Sequence, residues 1–253
     1  MTDDAVRIEF AGTTDAAGAP VADAAGLLGG VASVSALAGR PDDAWATLVV
    51  AHGAGSGMEH PFLEGFCTAV QALGVATLRF DFPYREVGRK FPDRPPVAVA
   101  TWRAAFDAAR AGAVDAGAPD EPIWASGKSF GGRMASMAVA EGLPAAGLAF
   151  LGYPLHPPGR PEKARDEHLP DVAAPMLFLQ GRNDPFATPN DQLDELVARL
   201  RGADGGTGHA VGLEWVDDAN HSFEIKGRKR PAHEIGASLA PSVVAFMRAN
   251  APG

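Results

Sequence analysis

The sequence predicts an α/β fold with a mostly parallel central sheet and helices on both of its faces. From Trp45 onward, short apolar runs alternate with segments of helical periodicity, which is typical of a parallel α/β sheet. The apolar runs are continuous rather than alternating, as expected for strands that are buried on both faces. Together these two observations indicate one layered α/β structure.

The same pattern places the individual elements along the chain. The first forty residues are less regular, with β-like pieces at 6–10 and 31–37 and a turn-rich stretch between them, and we expect them at the edge of the sheet. Trp102, Phe106 and Ala109 recur at helical spacing, as in a helix that lies on a sheet. The remaining predicted strands are 47–51, 75–80, 122–125, 146–151, 176–179 and 213–216, and the predicted helices span about 61–73, 97–116, 130–141, 190–201 and 232–249.

The composition is that of an ordinary globular chain. The length of 253 residues and an apolar content of 46% suit a single domain over residues 1–253. The net charge of −9 opposes binding to nucleic acid or to an anionic membrane. Cys67 is the only cysteine, so no intramolecular disulfide can form. Because the acidic start is followed by no long apolar stretch, we expect a cytoplasmic protein.

Ser129 stands at the centre of a G-x-S-x-G motif. The motif follows the apolar run 122–125 and precedes the helical segment 130–141, which is the strand–turn–helix setting of a nucleophile elbow. Glycines are needed on both sides of the serine because the strand and helix backbones come close together there. The amide end of the helix also points to the place where negative charge develops during acyl transfer. We therefore expect Ser129 to be the catalytic nucleophile.

A serine hydroxyl needs a base to take its proton and an acid to orient that base. Asp184 follows the strand at 176–179, just past a carboxyl end, where the sites of parallel sheets assemble. His221 follows the next strand and completes the chain order serine, acid, histidine. The competing residues His209 and His233 do not follow a strand end. The sequence therefore predicts Asp184 as the acid and His221 as the base.

A glycine-rich loop follows the strand at 47–51 and suits an oxyanion hole, because it can present backbone N–H groups to a tetrahedral intermediate. Ala54 is the expected donor in this loop, with Gly55 as the alternative. The second expected donor is the N–H group of Phe130, the residue after the nucleophile. His52, at the start of the loop, is interpreted as a structural residue that bonds the loop backbone.

The substrate pocket is the least defined part of the predicted site. Its candidate lining residues are Phe82, Tyr84, Leu155 and His156, because both segments follow strand ends, although ordinary packing explains them equally well. The segment between Gly152 and Pro175 leaves room for a loop or a short helix over the site. It is too short for a full cap domain.

The sequence predicts neither a cofactor nor a metal. No group of His, Cys and Asp residues has the spacing of a zinc site. The glycine loop lacks the G-x-G-x-x-G of a dinucleotide site and the Lys-Ser/Thr pair of a P-loop. Cys67 is interpreted as a buried core residue of a helix. The basic run 226–230 is interpreted as a solvated loop or, alternatively, as a patch that steers an anionic substrate or partner.

Together these motifs resemble those of the α/β-hydrolase superfamily. The finer similarity is to a compact, capless branch related to dienelactone hydrolases, which includes testis-expressed hydrolase-like proteins and a subunit of a nuclear acetyltransferase complex. Dienelactone hydrolases proper have a cysteine nucleophile, whereas this elbow holds Ser129, so the resemblance does not imply lactone-specific activity. The similarity runs from about Trp45 to the C-terminus. Three stretches of sequence carry it, namely residues 52–55 together with 60–62, residues 79–84 and residues 127–133.

The residues and the resemblance imply a serine hydrolase that cleaves a small carboxylic ester or thioester through an acyl-enzyme. The alternative is a catalytically idle protein that keeps the fold for binding or scaffolding, as the nuclear-complex relatives suggest. The intact set of Ser129, Asp184 and His221 favours the enzyme, because a scaffold does not need all three.

Overall fold

The computed structural model describes residues 3–10, 30–202 and 206–252. Within these residues, eight strands form one sheet. The strands are β1 (Asp4–Glu9), β2 (Ser33–Gly39), β3 (Thr47–Ala51), β4 (Ala76–Phe80), β5 (Ile123–Lys128), β6 (Leu148–Leu151), β7 (Met176–Gly181) and β8 (Val211–Val216).

The sheet is mostly parallel, as the sequence predicts. Its spatial order is β1-β2-β4-β3-β5-β6-β7-β8. Only β1 and β2 run antiparallel to their neighbours, and every pair from β4 to β8 is parallel. β1 and β2 are the two strands at one end of this order, and residues 12–29 of the predicted turn-rich stretch lie outside the described residues.

Helices cover both faces of the sheet. Neighbouring residues of β3 point to opposite faces, so that Val49 contributes to one hydrophobic core and Leu48 to the other. The first core contains the helices that follow β4, β5 and β7, and the second contains the first helix and the last two. The helices are α1 (Pro61–Gln71), α2 (Pro83–Glu86), α3 (Pro95–Asp115), α4 (Phe130–Ala140), α5 (Asn190–Arg201), α6 (Ala232–Ala237) and α7 (Ala240–Ala249).

The prediction of one continuous C-terminal helix over 232–249 is wrong. The structure breaks it into α6 and α7, with Ser238 and Leu239 between them. Pro241 explains the break, because proline has no N–H group to donate to the preceding helical turn. The short helix α2 was also absent from the sequence prediction.

The segment from 152 to 175 forms a loop with one short 3₁₀ helix, Leu169–Asp171, and no large cap domain. The segment is fixed against α4, because His168 Nε2 lies 2.8 Å from Ser136 Oγ. Tyr153 closes the segment on itself by donating its hydroxyl hydrogen to the carbonyl oxygen of Arg165 at 2.7 Å.

The packing of α1 against α6 generates a test of the fold. A Cβ atom on Gly65 would overlap the carbonyl oxygen of His233, so the two helix backbones are in direct contact there. We expect Gly65→Ala to lower the free energy of unfolding by about 2 kcal/mol or more, because backbone cannot yield as a flexible side chain does. Thermal and urea unfolding measure this change.

Gly112 provides the matched control for that substitution. It lies in α3, and no described atom would come within 4 Å of an added Cβ atom. Gly112→Ala should raise the stability by up to about 1 kcal/mol, since alanine is the better helix former. Equal effects of the two substitutions would contradict the close helix contact.

Candidate active site

Ser129 occupies a strained turn between β5 and α4. Its φ of 50° lies in the left-handed region, which a residue with a side chain seldom adopts. The turn exists because strand and helix meet with no side chain between them. A Cβ atom on Gly132 of α4 would lie 2.7 Å from the carbonyl oxygen of Gly127 in β5. This geometry lifts Ser129 out of the sheet at its carboxyl end.

The structure brings Ser129, His221 and Asp184 into one hydrogen-bonded chain. His221 Nε2 lies 2.8 Å from Ser129 Oγ, and His221 Nδ1 lies 2.6 Å from Asp184 Oδ2. Because the carboxylate accepts, Nδ1 carries the ring hydrogen and Nε2 is free to accept the serine hydrogen. The three side chains stand after the carboxyl ends of β5, β8 and β7.

Asp184 is completely buried and held from three sides. Besides His221, its carboxylate accepts hydrogen bonds from Gln180 Nε2 at 2.6 Å and from the backbone N–H group of Phe186 at 2.8 Å. The ring of Phe186 also packs on the His221 ring, with 4.4 Å between centroids. These contacts fix the orientation of the carboxylate and, through it, of the imidazole.

The electrostatics around His221 favour the neutral imidazole. Burial lowers the pKa of His221 below its usual value of 6.5, and the positive charge of Lys128 lowers it further. The hydrogen bond to Asp184 opposes both effects. Because its pKa is lowered, the imidazole stays neutral at pH values where an ordinary histidine would be partly protonated. It therefore remains able to accept a proton.

Lys128 is a residue of the site that the sequence reasoning missed. Its side chain runs beside the glycine loop and ends near Gly152, where an added Cβ atom would lie 3.1 Å from Lys128 Nζ and 3.5 Å from His221 Nδ1. The Nζ atom is shielded from solvent and has no hydrogen-bond partner among the described residues. Burial lowers the pKa of Lys128 to about 8, although Asp184 opposes this shift. The signal in the sequence that could have identified Lys128 is its position directly before Ser129.

His52 fixes the glycine-rich loop after β3, as the sequence indicates. Its Nδ1 atom donates to the carbonyl oxygen of Gly53 at 2.8 Å, and its Nε2 atom accepts from the N–H group of Phe82 at 3.2 Å. Burial lowers the pKa of His52 to about 4, which keeps the ring neutral and this pattern of bonds intact. The loop therefore has a defined position beside Ser129.

Two backbone N–H groups near Ser129 have no acceptor within the described parts of the chain. They belong to Ala54, in the glycine-rich loop, and to Phe130, the first residue of α4. The N–H group of Gly55 instead donates to the hydroxyl oxygen of Tyr84 at 3.3 Å. Of the two loop candidates, Ala54 therefore has the available donor.

A cavity of about 420 Å³ opens at Ser129 and His221. Phe62, Leu63 and Ile235 provide apolar wall, and the glycine-rich loop forms another side. No residue of the segment 152–175 lines this cavity, because that segment folds against α4.

The four expected pocket residues lie elsewhere. Phe82 and Tyr84 are buried behind the glycine-rich loop, where their rings pack on His52 with centroid distances of 5.1 and 5.8 Å. Leu155 and His156 are also buried, and His156 bonds the carbonyl oxygen of Pro157 at 2.9 Å. None of the four lines the cavity at Ser129, so we do not retain them as its walls.

The remaining candidate groups are not part of this arrangement. His209 and His233 are exposed and do not line the cavity. Cys67 is buried in the core, as predicted, and burial raises the pKa of its thiol to about 12. Over residues 3–10, 30–202 and 206–252, no group of three His, Cys, Asp or Glu side chains could hold a metal ion. The helices of the same ranges include none that is long and apolar enough to span a membrane.

Comparison with known proteins agrees with this architecture. Dienelactone hydrolase from Anabaena variabilis has a TM-score of 0.68 at 18% identity, over 98% of this chain and 97% of that chain. XC6422 from Xanthomonas campestris, described as a serine hydrolase without a lid, has a TM-score of 0.64 at 19% identity, over 100% and 97%. Est1E from Butyrivibrio proteoclasticus has a TM-score of 0.60 at 14% identity, over 87% and 96%.

These structural similarities confirm the predicted α/β-hydrolase fold and its likeness to dienelactone hydrolase. A model of the alpha/beta hydrolase domain family also matches residues 44–248, which is most of the sequence. The chain therefore belongs to the alpha/beta hydrolase domain family.

Proposed function

We propose that this hydrolase cleaves a carboxylic ester or a thioester through an acyl-enzyme on Ser129. The observation that carries the proposal is the continuous hydrogen-bonded chain from Ser129 Oγ through His221 to Asp184. A nucleophile, a neutral base and a buried carboxylate that orients the base are the parts that this chemistry requires.

The first half of the reaction forms the acyl-enzyme. His221 Nε2 takes the proton of Ser129, and the serine oxygen attacks the carbonyl carbon of the substrate. The N–H groups of Ala54 and Phe130 donate to the oxyanion, and the N-terminal end of α4 adds the favourable end of its dipole. The proton on His221 then passes to the leaving alcohol or thiol as its bond to the carbonyl carbon breaks.

The second half of the reaction restores the enzyme. Water attacks the acyl carbon while His221 again accepts a proton, and the acid leaves when that proton returns to Ser129. The carboxylate of Asp184 stabilises the imidazolium in both halves. No metal or cofactor takes part in this scheme.

Removal of the nucleophile is the direct kinetic test. We expect Ser129→Ala to lower kcat on an ester substrate by about 10⁴- to 10⁶-fold without loss of the fold, because the substitution removes a single hydroxyl group. Ser238→Ala is the control, since among the described residues the Ser238 hydroxyl bonds only the carbonyl oxygen of Ile235 in α6. Turnover assays and circular dichroism on the same preparations check both variants. Near wild-type turnover by Ser129→Ala would exclude Ser129 as the nucleophile.

The pH dependence tests the electrostatics of the base. A base must be neutral to act, so kcat/KM should rise with pH through the pKa of His221, which lies below 6.5 in the folded enzyme. Lys128→Met removes a positive charge that lowers this pKa, so the rising limb should move to higher pH. Lys128→Arg keeps the charge and should keep the limb near its wild-type position.

A structural role alone would lower kcat in both Lys128 variants without moving the limb. An unchanged limb in Lys128→Met would therefore show that the Lys128 charge does not act on His221.

A further inference from the structure

A second cavity of about 840 Å³ adjoins the cavity at Ser129. Glu224 lines both cavities, and the loop that follows His221 forms much of their shared wall. The second cavity is lined mainly by residues 224–231 of this loop. The two cavities therefore meet at Glu224, on the loop that follows His221.

The second cavity is rich in cationic side chains. Four of its lining residues are basic and only Asp218 and Glu224 are acidic, in a chain whose net charge is −9. In the described parts of the chain, Arg230 is the only one of the four in an ion pair, with Glu234 at 4.0 Å. The four basic residues are Lys226, Arg228, Lys229 and Arg230.

The loop that carries these cations is held by its own hydrogen bonds. The side-chain oxygen of Asn220 accepts the N–H groups of Ser222 at 2.8 Å and of Glu224 at 3.0 Å. Ile225 forms bridges to the backbones of Ala219 and Arg228. The loop that positions the base therefore also sets the places of the cations.

Buried aromatic packing anchors the same loop. Phe223 is buried and stacks on Phe62 of α1, with 6.0 Å between the ring centroids. This anchor lies two residues after His221 and three before the first cation, Lys226. The distance between the catalytic base and the cationic wall is thus fixed by packing as well as by hydrogen bonds.

We propose that this cationic wall binds a phosphate-bearing leaving group of the substrate, an inference that rests on the function proposed above. His221 protonates the leaving group, so that group must lie on the side of Ser129 where His221 and its loop stand. Arginine and lysine side chains without partners suit the several charges of a phosphorylated alcohol or thiol. The smaller cavity, with its apolar wall of Phe62, Leu63 and Ile235, is left for the acyl group.

The chemical step is unchanged by this assignment. The bond from the carbonyl carbon to the leaving oxygen or sulfur breaks, the bond to Ser129 Oγ forms, and the proton on His221 Nε2 moves to the leaving atom. The phosphates remain intact and contribute only to binding. The wall therefore determines specificity and not the reaction type.

Two thioesters with the same acyl group test the inference. One is the coenzyme A thioester, which carries phosphates, and the other is the neutral N-acetylcysteamine thioester. We expect wild-type enzyme to prefer the first, and the triple variant K226Q/R228Q/K229Q to lose about 10- to 100-fold in kcat/KM on it, mainly through KM. Its kcat/KM on the neutral thioester should stay unchanged. Free coenzyme A should inhibit hydrolysis of the neutral thioester by wild-type enzyme and much less by the variant.

The matched control removes the same charges elsewhere. Lys90, Arg160 and Lys163 are exposed, make no ion pair in the described residues and line neither cavity. The variant K90Q/R160Q/K163Q should therefore behave as wild type on both thioesters. An equal loss in the two triple variants would mean a general effect of net charge and would overturn the subsite.

The outcomes separate this inference from the proposed function. Hydrolysis of the neutral thioester without any preference for the phosphate-bearing one would overturn the subsite and leave the serine hydrolase in place. Failure to hydrolyse simple esters and both thioesters would overturn the proposed function, and the subsite with it.

Discussion

The close approach of β5 and α4 is the constraint on which the rest of the site depends. A Cβ atom on Gly132 would lie 2.7 Å from the carbonyl oxygen of Gly127, so the strand and the helix that flank Ser129 touch through their backbones. This contact forces the serine into the left-handed region, at an energetic cost of about 1–3 kcal/mol that the surrounding packing offsets. The turn places Ser129 directly before the N-terminal end of α4, where the N–H group of Phe130 has no acceptor among the described residues. The loops after β3, β7 and β8 supply the remaining groups of the site, which are the N–H group of Ala54, the carboxylate of Asp184 and the imidazole of His221.

Charge is distributed around the turn in a way that suits acyl transfer. The buried carboxylate of Asp184 accepts hydrogen bonds from three donors, whereas the buried ammonium group of Lys128 has no acceptor among the described residues. The contrast matters because a buried charge without a hydrogen-bond partner is costly, and such groups cluster at functional sites. Lys128 lowers the pKa of His221 and Asp184 raises it, and burial decides that the net shift of this pKa is downward. The pKa of the base is thus set by two charges of opposite sign and by its partial burial.

The sequence predicted the sheet and the chain order of the site because both follow from local patterns. Continuous apolar runs located the strands from residue 47 onward, and the helix at 190–201 was placed correctly at both ends. Pro241 was a visible signal for the break between α6 and α7, but the apolar periodicity on either side concealed it. The details of the site depend on contacts between distant segments. The choice of Ala54 over Gly55 depends on the hydroxyl of Tyr84, and the burial of Phe82 and Tyr84 depends on packing against His52. No local pattern encodes such contacts.

Covalent labelling tests the central claim, that Ser129 is a nucleophile activated by His221. Folded protein would be treated with a fluorophosphonate, digested and analysed by mass spectrometry, with His221→Ala as the comparison. The account predicts one adduct per molecule on the peptide that contains Ser129, and labelling that falls at least about 10²-fold in the His221 variant. An absence of labelling in the folded protein, or an adduct on another residue, would contradict it.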